Sequence, residues 1–382
     1  MNKTLTTAVC TAWLAVFGLM NAPGLAGNAN AGIVLGPALS FPSSTGISVW
    51  WNTDDEGTCR HDVEYGKTGT LGQVAAFEGR TTTPFVTLEG LSPDSIYYYR
   101  VRTCGSVSPV QSFKTLKDAA EMRSVRLGVW GDNQRGTDVF SRNTIPALLS
   151  YSPDFLVGLG DFVQDPDSYH DWKKQFYKPA ARLLGSIALF PARGNHDGEG
   201  RLALNMLPYR GGGSWYSAVI GPLYLVVLDT NLDLAQGSSQ YDWFIAQTRS
   251  SAWKTASFRA VVHHRPAYTN LWSGKGYDGD AALRLHLAPA MEEAGVDVVI
   301  NGHSHGYQHG VSNSAYGRTH YFVMGGGGVT LDRDVTNRWP NLTTVKSRYH
   351  IGIIDITASR MTVQVIDTID QTVLDTVVID PR

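Results

Sequence analysis

The feature that most constrains the fold is an alternation of short apolar runs with helical patterns between residues 124 and 300. Strands are predicted at 125–130, 155–159, 187–191, 223–228, 259–263 and 296–300, and helices at 138–150, 168–184, 239–250 and 281–294. Strands and helices that alternate in this way are typical of α/β domains built in layers. In such domains, functional sites form just beyond the carboxyl ends of the strands.

The regions before and after this alternation show β patterns alone. Four short strands are predicted at 47–51, 61–65, 83–88 and 96–101, separated by turns rich in glycine, proline and aspartate. That spacing favours an antiparallel sandwich, in which Tyr97 and Tyr99 would point into the core. Further strands are predicted at 321–324, 350–356 and 361–366. We therefore expect a sandwich over residues 32–118 and an α/β domain over residues 119–382.

The first 31 residues have the composition of a targeting segment. Lys3 precedes an apolar stretch from about residue 8 to residue 20, and Ala29-Asn30-Ala31 offers small residues at a cleavage site. This arrangement predicts a secretory signal peptide over residues 1–31, and thus a secreted or periplasmic protein. A transmembrane helix is the alternative, but this apolar stretch is short for one and no later segment is expected to span a bilayer.

Charge and cysteine content narrow the expected partners. The chain has 32 Lys and Arg against 34 Asp and Glu, a formal net charge of −2. This balance gives no reason to expect nucleic acid or an anionic membrane as a partner. Cys10 would leave with the signal peptide, and the remaining pair, Cys59 and Cys104, suggests a disulfide bond in an exported protein. Two buried free thiols are the alternative.

Side chains that commonly bind metals follow five of the predicted strands. They are Asp132, Asp161, the Asn195-His196-Asp197 segment, the His263-His264 pair, and His303 with His305. Carboxylate oxygens and imidazole nitrogens suit zinc, manganese and iron, and two cations about 3.5 to 4 Å apart can clamp a phosphoryl group. Each piece by itself is an ordinary turn or a buried histidine. Because all five groups of side chains are expected at the same edge of the sheet, together they predict a metal centre.

The ordered set resembles the calcineurin-like metallophosphoesterases. The resemblance is carried by Gly131-Asp132, Gly160-Asp161, Gly194-Asn195-His196-Asp197, Val261-Val262-His263-His264 and Gly302-His303-Ser304-His305. With a β-sandwich in front, which itself resembles a fibronectin type III module, the chain is most similar to bacterial purple-acid-phosphatase-like enzymes. The resemblance implies an α/β, or layered α+β, fold: two mixed β-sheets flanked by helices and preceded by a small all-β sandwich.

The resemblance also implies a role for each residue. Asp161 would bridge two metal ions, Asp132 and His305 would hold the first, and Asn195, His264 and His303 would hold the second. His264 is preferred to His263 because residues 264–268 match the family's His-x-Pro-x-Tyr. His263 would then be a core residue or support the ligands, and the reverse assignment stays open. His196 would lie beside the scissile phosphate, as an acid for the leaving group or a donor to the phosphoryl oxygens, while a metal-bound hydroxide attacks phosphorus.

Two glutamines stand where the resemblance implies further ligands. Purple acid phosphatases have a tyrosine three residues after the bridging aspartate, where this chain has Gln164. Many relatives have Asp-x-His in the first motif, where this chain has Gln134. A glutamine oxygen or a water could complete the first site, but neither stabilises a trivalent ion as a phenolate does. We therefore expect two divalent ions of iron, manganese or zinc, and no tyrosinate-bound ferric iron; a weak or empty first site is the alternative.

These residues together lead us to expect hydrolysis of phosphate esters, above all phosphomonoesters, with a small phosphorylated substrate as the partner. One alternative is a phosphodiesterase or nucleotide hydrolase on the same metal core. Another is a non-catalytic protein that binds a surface through its sandwich. The segment 268–280 should overhang the site, and within it Lys275 and Tyr277 are candidates for substrate contact. The sequence predicts no particular oligomeric state.

Overall fold

The structure is a computed structural model that describes residues 32–54, 60–77, 79, 81–198, 201–209 and 213–382. The predicted signal peptide over residues 1–31 and Cys59 of the predicted disulfide lie outside the described residues, so both stay predictions. Among the helices that the structure describes, none is both long and apolar enough to cross a membrane.

The N-terminal region consists of two small sheets packed face to face. Its strands are β1 (Ile33–Ser40), β2 (Ile47–Thr53), β3 (His61–Gly66), β4 (Gln73–Phe77), β5 (Phe85–Leu88), β6 (Ile96–Thr103), β7 (Ser106–Val107) and β8 (Gln111–Lys114). Strands β1, β2 and β5 form one side, and β3, β4, β6, β7 and β8 form the other. Alternate residues of β6 point inward, so Tyr97 and Tyr99 are buried as the sequence predicted, whereas Tyr98 is 37% exposed.

The larger region that follows alternates strands with helices and ends in strands. Its strands are β9 (Ser124–Trp130), β10 (Phe155–Gly158), β11 (Leu189–Pro191), β12 (Tyr216–Ile220), β13 (Leu223–Val227), β14 (Phe258–Val262), β15 (Val298–Asn301), β16 (Tyr307–Ser314), β17 (Gly317–Met324), β18 (Leu342–Lys346), β19 (His350–Thr357), β20 (Met361–Asp367) and β21 (Val373–Ile379). Its α-helical segments are Thr137–Val139, Ile145–Ser150, Tyr169–Asp171, Lys178–Leu184, Arg201–Met206, Ser239–Thr248, Ser251–Thr255 and Ala288–Glu293. Wider π-helical turns join or precede some of these at Phe140–Thr144, Trp172–Tyr177 and Leu283–Leu287.

Two mixed sheets carry this region, as expected. Among the described residues, one sheet has the order β21-β20-β19-β9-β10-β11-β1-β2-β5 and the other has the order β12-β13-β14-β15-β17-β16-β18. Strands β9, β10 and β11 are parallel to one another, and so are β13, β14, β15 and β17. The carboxyl ends of these parallel strands therefore lie at one edge of each sheet.

Both faces of the second sheet are buried at β13, β14 and β15, which explains why these strands are almost entirely apolar. Along β13, Leu223, Leu225 and Val227 belong to the core shared with the first sheet, because successive side chains of a strand point to opposite faces. Tyr224 and Val226 pack on the other face, in a core with the helices around Phe244, Trp253, Leu287 and Met291. The first sheet, the second sheet and the helices outside them are thus stacked in layers.

The sandwich is joined to the first sheet through its own β1. Ser40 of β1 pairs in parallel with Leu189 of β11, so the sheet runs without a break from one region into the other. On β2, Trp50 packs in the main core and Trp51 packs in the core of the sandwich. The Tyr99 hydroxyl also donates to the carbonyl of Gly185 at 2.8 Å. The sandwich is therefore part of the packing that supports the first sheet.

A proline in the helix over residues 169–184 ties that helix to the loop after β9. Pro179 has no backbone N–H, so it cannot donate to the carbonyl of Gln175 four residues earlier. The Asn133 side chain donates to that carbonyl at 3.2 Å and to the carbonyl of Phe162 at 2.8 Å. Asn133 thus fixes the loops that follow β9 and β10 relative to each other.

Candidate metal centre

The loops after the parallel strands bring the predicted ligands to one place. Asp132 follows β9, Asp161 follows β10, His264 follows β14 and His303 follows β15. Ligand atoms of Asp161, His264 and His303 all lie within 4.8 Å of one another. Asp132, Asp161 and His264 are almost completely buried. A cluster of this kind, with one carboxylate and two imidazoles, can hold a transition-metal ion.

Close backbone contact between two loops explains the glycines before the ligands. Gly160 has a φ of 94°, and a Cβ there would overlap the backbone of Gly194. A Cβ on Gly194 would in turn overlap the backbone nitrogen of Asp161. Glycine at both positions lets the loop after β10 touch the loop after β11. This contact brings Asp161 next to the Asn195 and His196 segment.

Hydrogen bonds orient the imidazole of His264 toward the cluster. Its Nδ1–H donates to the carbonyl of Leu159 at 2.8 Å, which directs Nε2 toward Asp161 Oδ2 at 3.2 Å and Asn195 Oδ1 at 3.1 Å. Burial by itself lowers the pKa of His264, but the Asp161 carboxylate outweighs burial and raises this pKa to about 9. A carbonyl that accepts from one ring nitrogen is the usual way in which proteins aim the other nitrogen at a metal. His264 Nε2, Asn195 and His303 therefore face one position.

Another position, the one expected for the first metal ion, lies beside Asp132 and His305. His305 Nδ1–H donates to the carbonyl of Thr330 at 3.0 Å, and its Nε2 lies 3.7 Å from Asp132 Oδ1. The backbone N–H of His303 donates to the Asp132 carboxylate at 2.9 Å. Burial, together with the nearby charge of Asp161, raises the pKa of Asp132, and a cation beside this carboxylate would stabilise its ionised form. Asp161 lies between the two positions, because it contacts both His264 and Gln134.

The Gln134 side chain lies at this first-ion position, beside Asp161, whereas the Gln164 side chain does not. The Gln134 amide nitrogen donates to Asp161 Oδ2 at 3.2 Å, and its Oε1 is buried without a hydrogen-bond partner in the described part of the chain. Buried polar atoms of this kind usually face a water or an ion. The Gln164 amide instead lies 3.0 Å from Nδ1 of His196. The side chains fit two divalent cations of the zinc, manganese or iron type, since they offer carboxylate, imidazole and amide ligands.

His196 and His263 have different surroundings. His196 is partly exposed, and its backbone N–H donates to Asp161 Oδ1 at 2.7 Å. His263 is fully buried, lies 2.9 Å through Nδ1 from the carbonyl of Arg265, and contacts Asn301. Burial lowers the pKa of His263 to about 4. The structure thus places His264 in the cluster and His263 behind it, in the arrangement that the His-x-Pro-x-Tyr match implied.

Asp197 is a residue whose importance the sequence reasoning missed. Its carboxylate accepts the backbone N–H groups of Asp161, Phe162 and Gly194, each at 2.8 Å. Asp197 therefore joins the loops after β10 and β11, in addition to the glycine contact. Its place in the Gly194-to-Asp197 segment was visible in the sequence. Nothing local to the sequence could show that the carboxylate turns back to three backbone groups.

An ion pair and an aromatic cluster complete the surroundings. Arg193 and Asp229 form a buried pair at 2.6 Å just before the Gly194 turn. The Trp272 ring stacks on His303 with centroids 5.1 Å apart, and the Tyr277 ring contacts both. Trp272 and Tyr277 lie on the segment 268–280 that was expected to overhang the site. These contacts limit the orientations that His303 can adopt.

Comparison with known proteins agrees with this arrangement. The sequence model of the calcineurin-like phosphoesterase family matches residues 126–307, and that of the purple acid phosphatase N-terminal domain matches residues 35–115. Probable purple acid phosphatase 20 of Arabidopsis thaliana is 24% identical over 242 residues, which cover 58% of this chain and 54% of that protein. Purple acid phosphatase 15 of the same plant is 24% identical over 335 residues, or 71% of this chain and 60% of that protein.

A solved structure shows the same fold. The purple acid phosphatase PPD1 from seeds of yellow lupin, Lupinus luteus, superposes with a TM-score of 0.77 at 17% identity, covering 90% of this chain and 74% of that chain. The chain spans 54% and 60% of the lengths of the two Arabidopsis relatives. The two family matches stand in the same order as the sandwich and the layered domain. Residues 35–115 therefore form a purple acid phosphatase N-terminal domain and residues 126–307 a calcineurin-like phosphoesterase domain.

Proposed function

We propose that this protein hydrolyses phosphate monoesters at a centre of two divalent metal ions. The observation that carries the proposal is the cluster of Asp161, His264 and His303, with ligand atoms within 4.8 Å of one another. Asp132 and His305 lie next to this cluster. The family and relatives support a phosphoesterase reaction, and the two buried aspartates support cations as the partners of the site.

Each side chain has a role in the proposal. Asp132, His305 and Gln134 would hold the first ion, Asn195, His264 and His303 would hold the second, and Asp161 would serve both. Two divalent ions bound there would polarise the phosphoryl group and activate a water as the nucleophile. His196 lies beside Gln164, since its Nδ1 is 3.0 Å from the Gln164 amide nitrogen and 3.2 Å from the Gln164 backbone carbonyl oxygen. Held there, its imidazole would donate a proton to the leaving oxygen of the ester or a hydrogen bond to the phosphoryl oxygens.

We expect both ions to be divalent, because no tyrosine phenolate is available to bind a trivalent ion at the first position. Gln164 stands where purple acid phosphatases have their tyrosine, and its amide contacts His196. We expect a colourless protein. An absorption band in the visible range from iron bound to tyrosinate would contradict this part of the proposal.

We further propose that the mature protein is secreted or periplasmic and that Cys59 pairs with Cys104. The apolar N-terminal stretch and the pair of cysteines support this. N-terminal sequencing of the exported protein and mass spectrometry with and without a reductant test both statements. An uncleaved N-terminus, or two free thiols, would contradict them.

The decisive experiment measures metal content and hydrolysis on one purified sample. We expect about two metal ions per chain and turnover of an aryl phosphomonoester, because the side chains offer two adjoining positions. Asp161→Ala should remove metal and activity together. Turnover of a diaryl phosphate alone would favour the phosphodiesterase alternative. Absence of turnover after loading with manganese, zinc or iron would favour a binding protein.

A further inference from the structure

Arg265 carries a positive charge next to the metal centre without a negative partner. It directly follows His264, and its Nε is buried with no hydrogen-bond partner among the described residues. None of the ion pairs found in the described ranges includes Arg265, although Arg193, Arg259 and Arg284 each have one. A guanidinium stays protonated under all assay conditions. A partly buried guanidinium without a negative partner is stabilised when an anion binds beside it.

Tyr277 presents a second unpaired donor close by. Its hydroxyl is buried and, within the described chain, makes no hydrogen bond. Its ring contacts the His303 ring with centroids 5.1 Å apart. Burial raises the pKa of this hydroxyl, so it remains a proton donor at any ordinary pH.

Both donors adjoin residues of the cluster. Arg265 directly follows His264 in the chain, and the Tyr277 ring contacts the His303 ring. The His264 and His303 rings are themselves 5.1 Å apart. Arg265 and Tyr277 thus flank the position that His264 and His303 face.

The segment that carries Tyr277 is well anchored. The next residue, Asp278, pairs with Arg284 at 3.2 Å and with Arg338 at 2.8 Å. Trp339 donates its indole N–H to the carbonyl of Asp278 at 2.6 Å. A donor that is held in place before the ligand arrives loses little entropy when the ligand binds. Lys275, the other candidate on this segment, is exposed.

We propose that Arg265 and Tyr277 bind the phosphoryl oxygens of the substrate, and that Arg265 makes the site selective for phosphomonoesters over phosphodiesters. This inference rests on the proposed function. A phosphomonoester carries nearly two negative charges at neutral pH, whereas a diester carries one. The monoester also has one more free oxygen to accept a hydrogen bond. An additional guanidinium therefore stabilises the bound monoester more than the bound diester.

The test compares variants of the metal-loaded full chain. Arg265→Met should lower kcat/KM for an aryl phosphate about hundredfold and for the corresponding diaryl phosphate about tenfold or less. Arg265→Lys should fall in between, because lysine keeps the charge but lacks the fork of donors. Tyr277→Phe should lower kcat/KM for the monoester and for the diester about tenfold each, because it removes one hydrogen bond and keeps the ring contacts.

Binding of inorganic phosphate gives a readout that does not depend on turnover. Calorimetric titration should show a Kd for phosphate that rises about tenfold or more in Arg265→Met, with two metal ions still bound. The matched control is Arg182→Met, on an exposed helical residue, which should leave both readouts unchanged.

Three results would overturn this inference. They are an unchanged ratio of monoester to diester kcat/KM in Arg265→Met, an unchanged Kd for phosphate, and an equal effect of Arg182→Met. In each case a wild-type protein that still hydrolyses phosphate esters leaves the proposed function standing. A wild-type protein that binds two metal ions and hydrolyses neither ester would contradict the proposed function itself.

Discussion

Three residues at the metal centre have a backbone conformation that is rare for residues with a Cβ. Asp132, Asp161 and His303 have φ values of 61°, 54° and 68°. Each such residue costs about 1 to 3 kcal/mol and persists only where its surroundings enforce it. Here the carboxylates of Asp132 and Asp197 accept the backbone N–H groups of His303 and Asp161, respectively. The loops are thus held in the conformation that brings the ligands together.

Asp197→Asn should destabilise the protein, because an amide nitrogen would take the place of an oxygen that accepts backbone N–H groups. We expect a loss of about 3 kcal/mol in the free energy of unfolding. Urea unfolding of the metal-loaded protein measures it. Asp118→Asn, in an exposed turn, is the control and should change little. Equal stability of the two variants would mean that Asp197 is not the link between the loops.

Gln134→Ala should lower the metal content from about two ions to about one, because the buried amide oxygen of Gln134 completes the first position in our assignment. Elemental analysis after dialysis measures the content. Gln164→Ala is the matched control, since Gln164 contacts His196, and it should keep both ions. If Gln164→Ala loses an ion and Gln134→Ala does not, the roles of the two glutamines are reversed.

At the scale of elements, the long periodic segments were predicted well. The predicted helices at 138–150 and 168–184 correspond to helical structure over Thr137–Ser150 and Tyr169–Leu184, apart from changes of a residue at their ends. Elements that were not predicted include β1, β12, β16, β18, β21 and the short helices Arg201–Met206 and Ser251–Thr255. Strand β16 contains glycine, asparagine and serine, which disfavour strands, and it is stabilised by pairing with β17 on one side and β18 on the other. Pairing of this kind is a tertiary effect.

The stability of the fold should depend on pH through His350, the first residue of β19. His350 is fully buried, its Nδ1–H donates to the carbonyl of Arg348 at 2.8 Å, and burial lowers its pKa from 6.5 to about 4. Between these values the unfolded chain binds a proton that the folded chain does not. This contribution to stability is present above about pH 6.5 and is lost as the pH falls toward 4, with a slope of about 1.4 kcal/mol per pH unit.

His350→Gln should therefore make the fall of stability with acid less steep. Urea unfolding at several pH values between about 4 and 7 measures the slope. His170→Gln is the control, because His170 is exposed on a helix. A slope that His350→Gln leaves unchanged would show that other groups dominate the acid sensitivity.

On the scale of the whole molecule, the sandwich and the layered domain share one sheet. Strand β1 pairs with β11, and Trp50 of β2 lies in the main core. The sequence predicted two regions with a boundary near residue 118, and that boundary is a change of pattern along the chain. In space, strands β1, β2 and β5 of the sandwich extend the first sheet beyond β11.

The two regions should consequently unfold together. We expect a single calorimetric transition for the full chain. Separation of the sandwich from the layered domain would expose the backbone edge of β11 and the side chain of Trp50 to water. Tyr99→Phe removes the hydrogen bond to Gly185 and should shift that whole transition by about 1 kcal/mol of stability. Tyr98→Phe, at a partly exposed position, is the control. Two separate transitions in the wild type would contradict this coupling.

The sequence by itself determined the layered architecture and the identity of the side chains at the candidate centre. It could do so because apolar periodicity records which faces are buried, and because a ligand after a strand lies at a known edge of the sheet. The sequence favoured His264 over His263 and left the reverse open; the tertiary structure places His264 at the cluster, because the carbonyls of Leu159 and Arg265 orient the two rings. The tertiary structure also decided that Gln134 faces the metal position while Gln164 contacts His196. Those choices arise where loops distant in sequence meet, and no local pattern encodes such a contact.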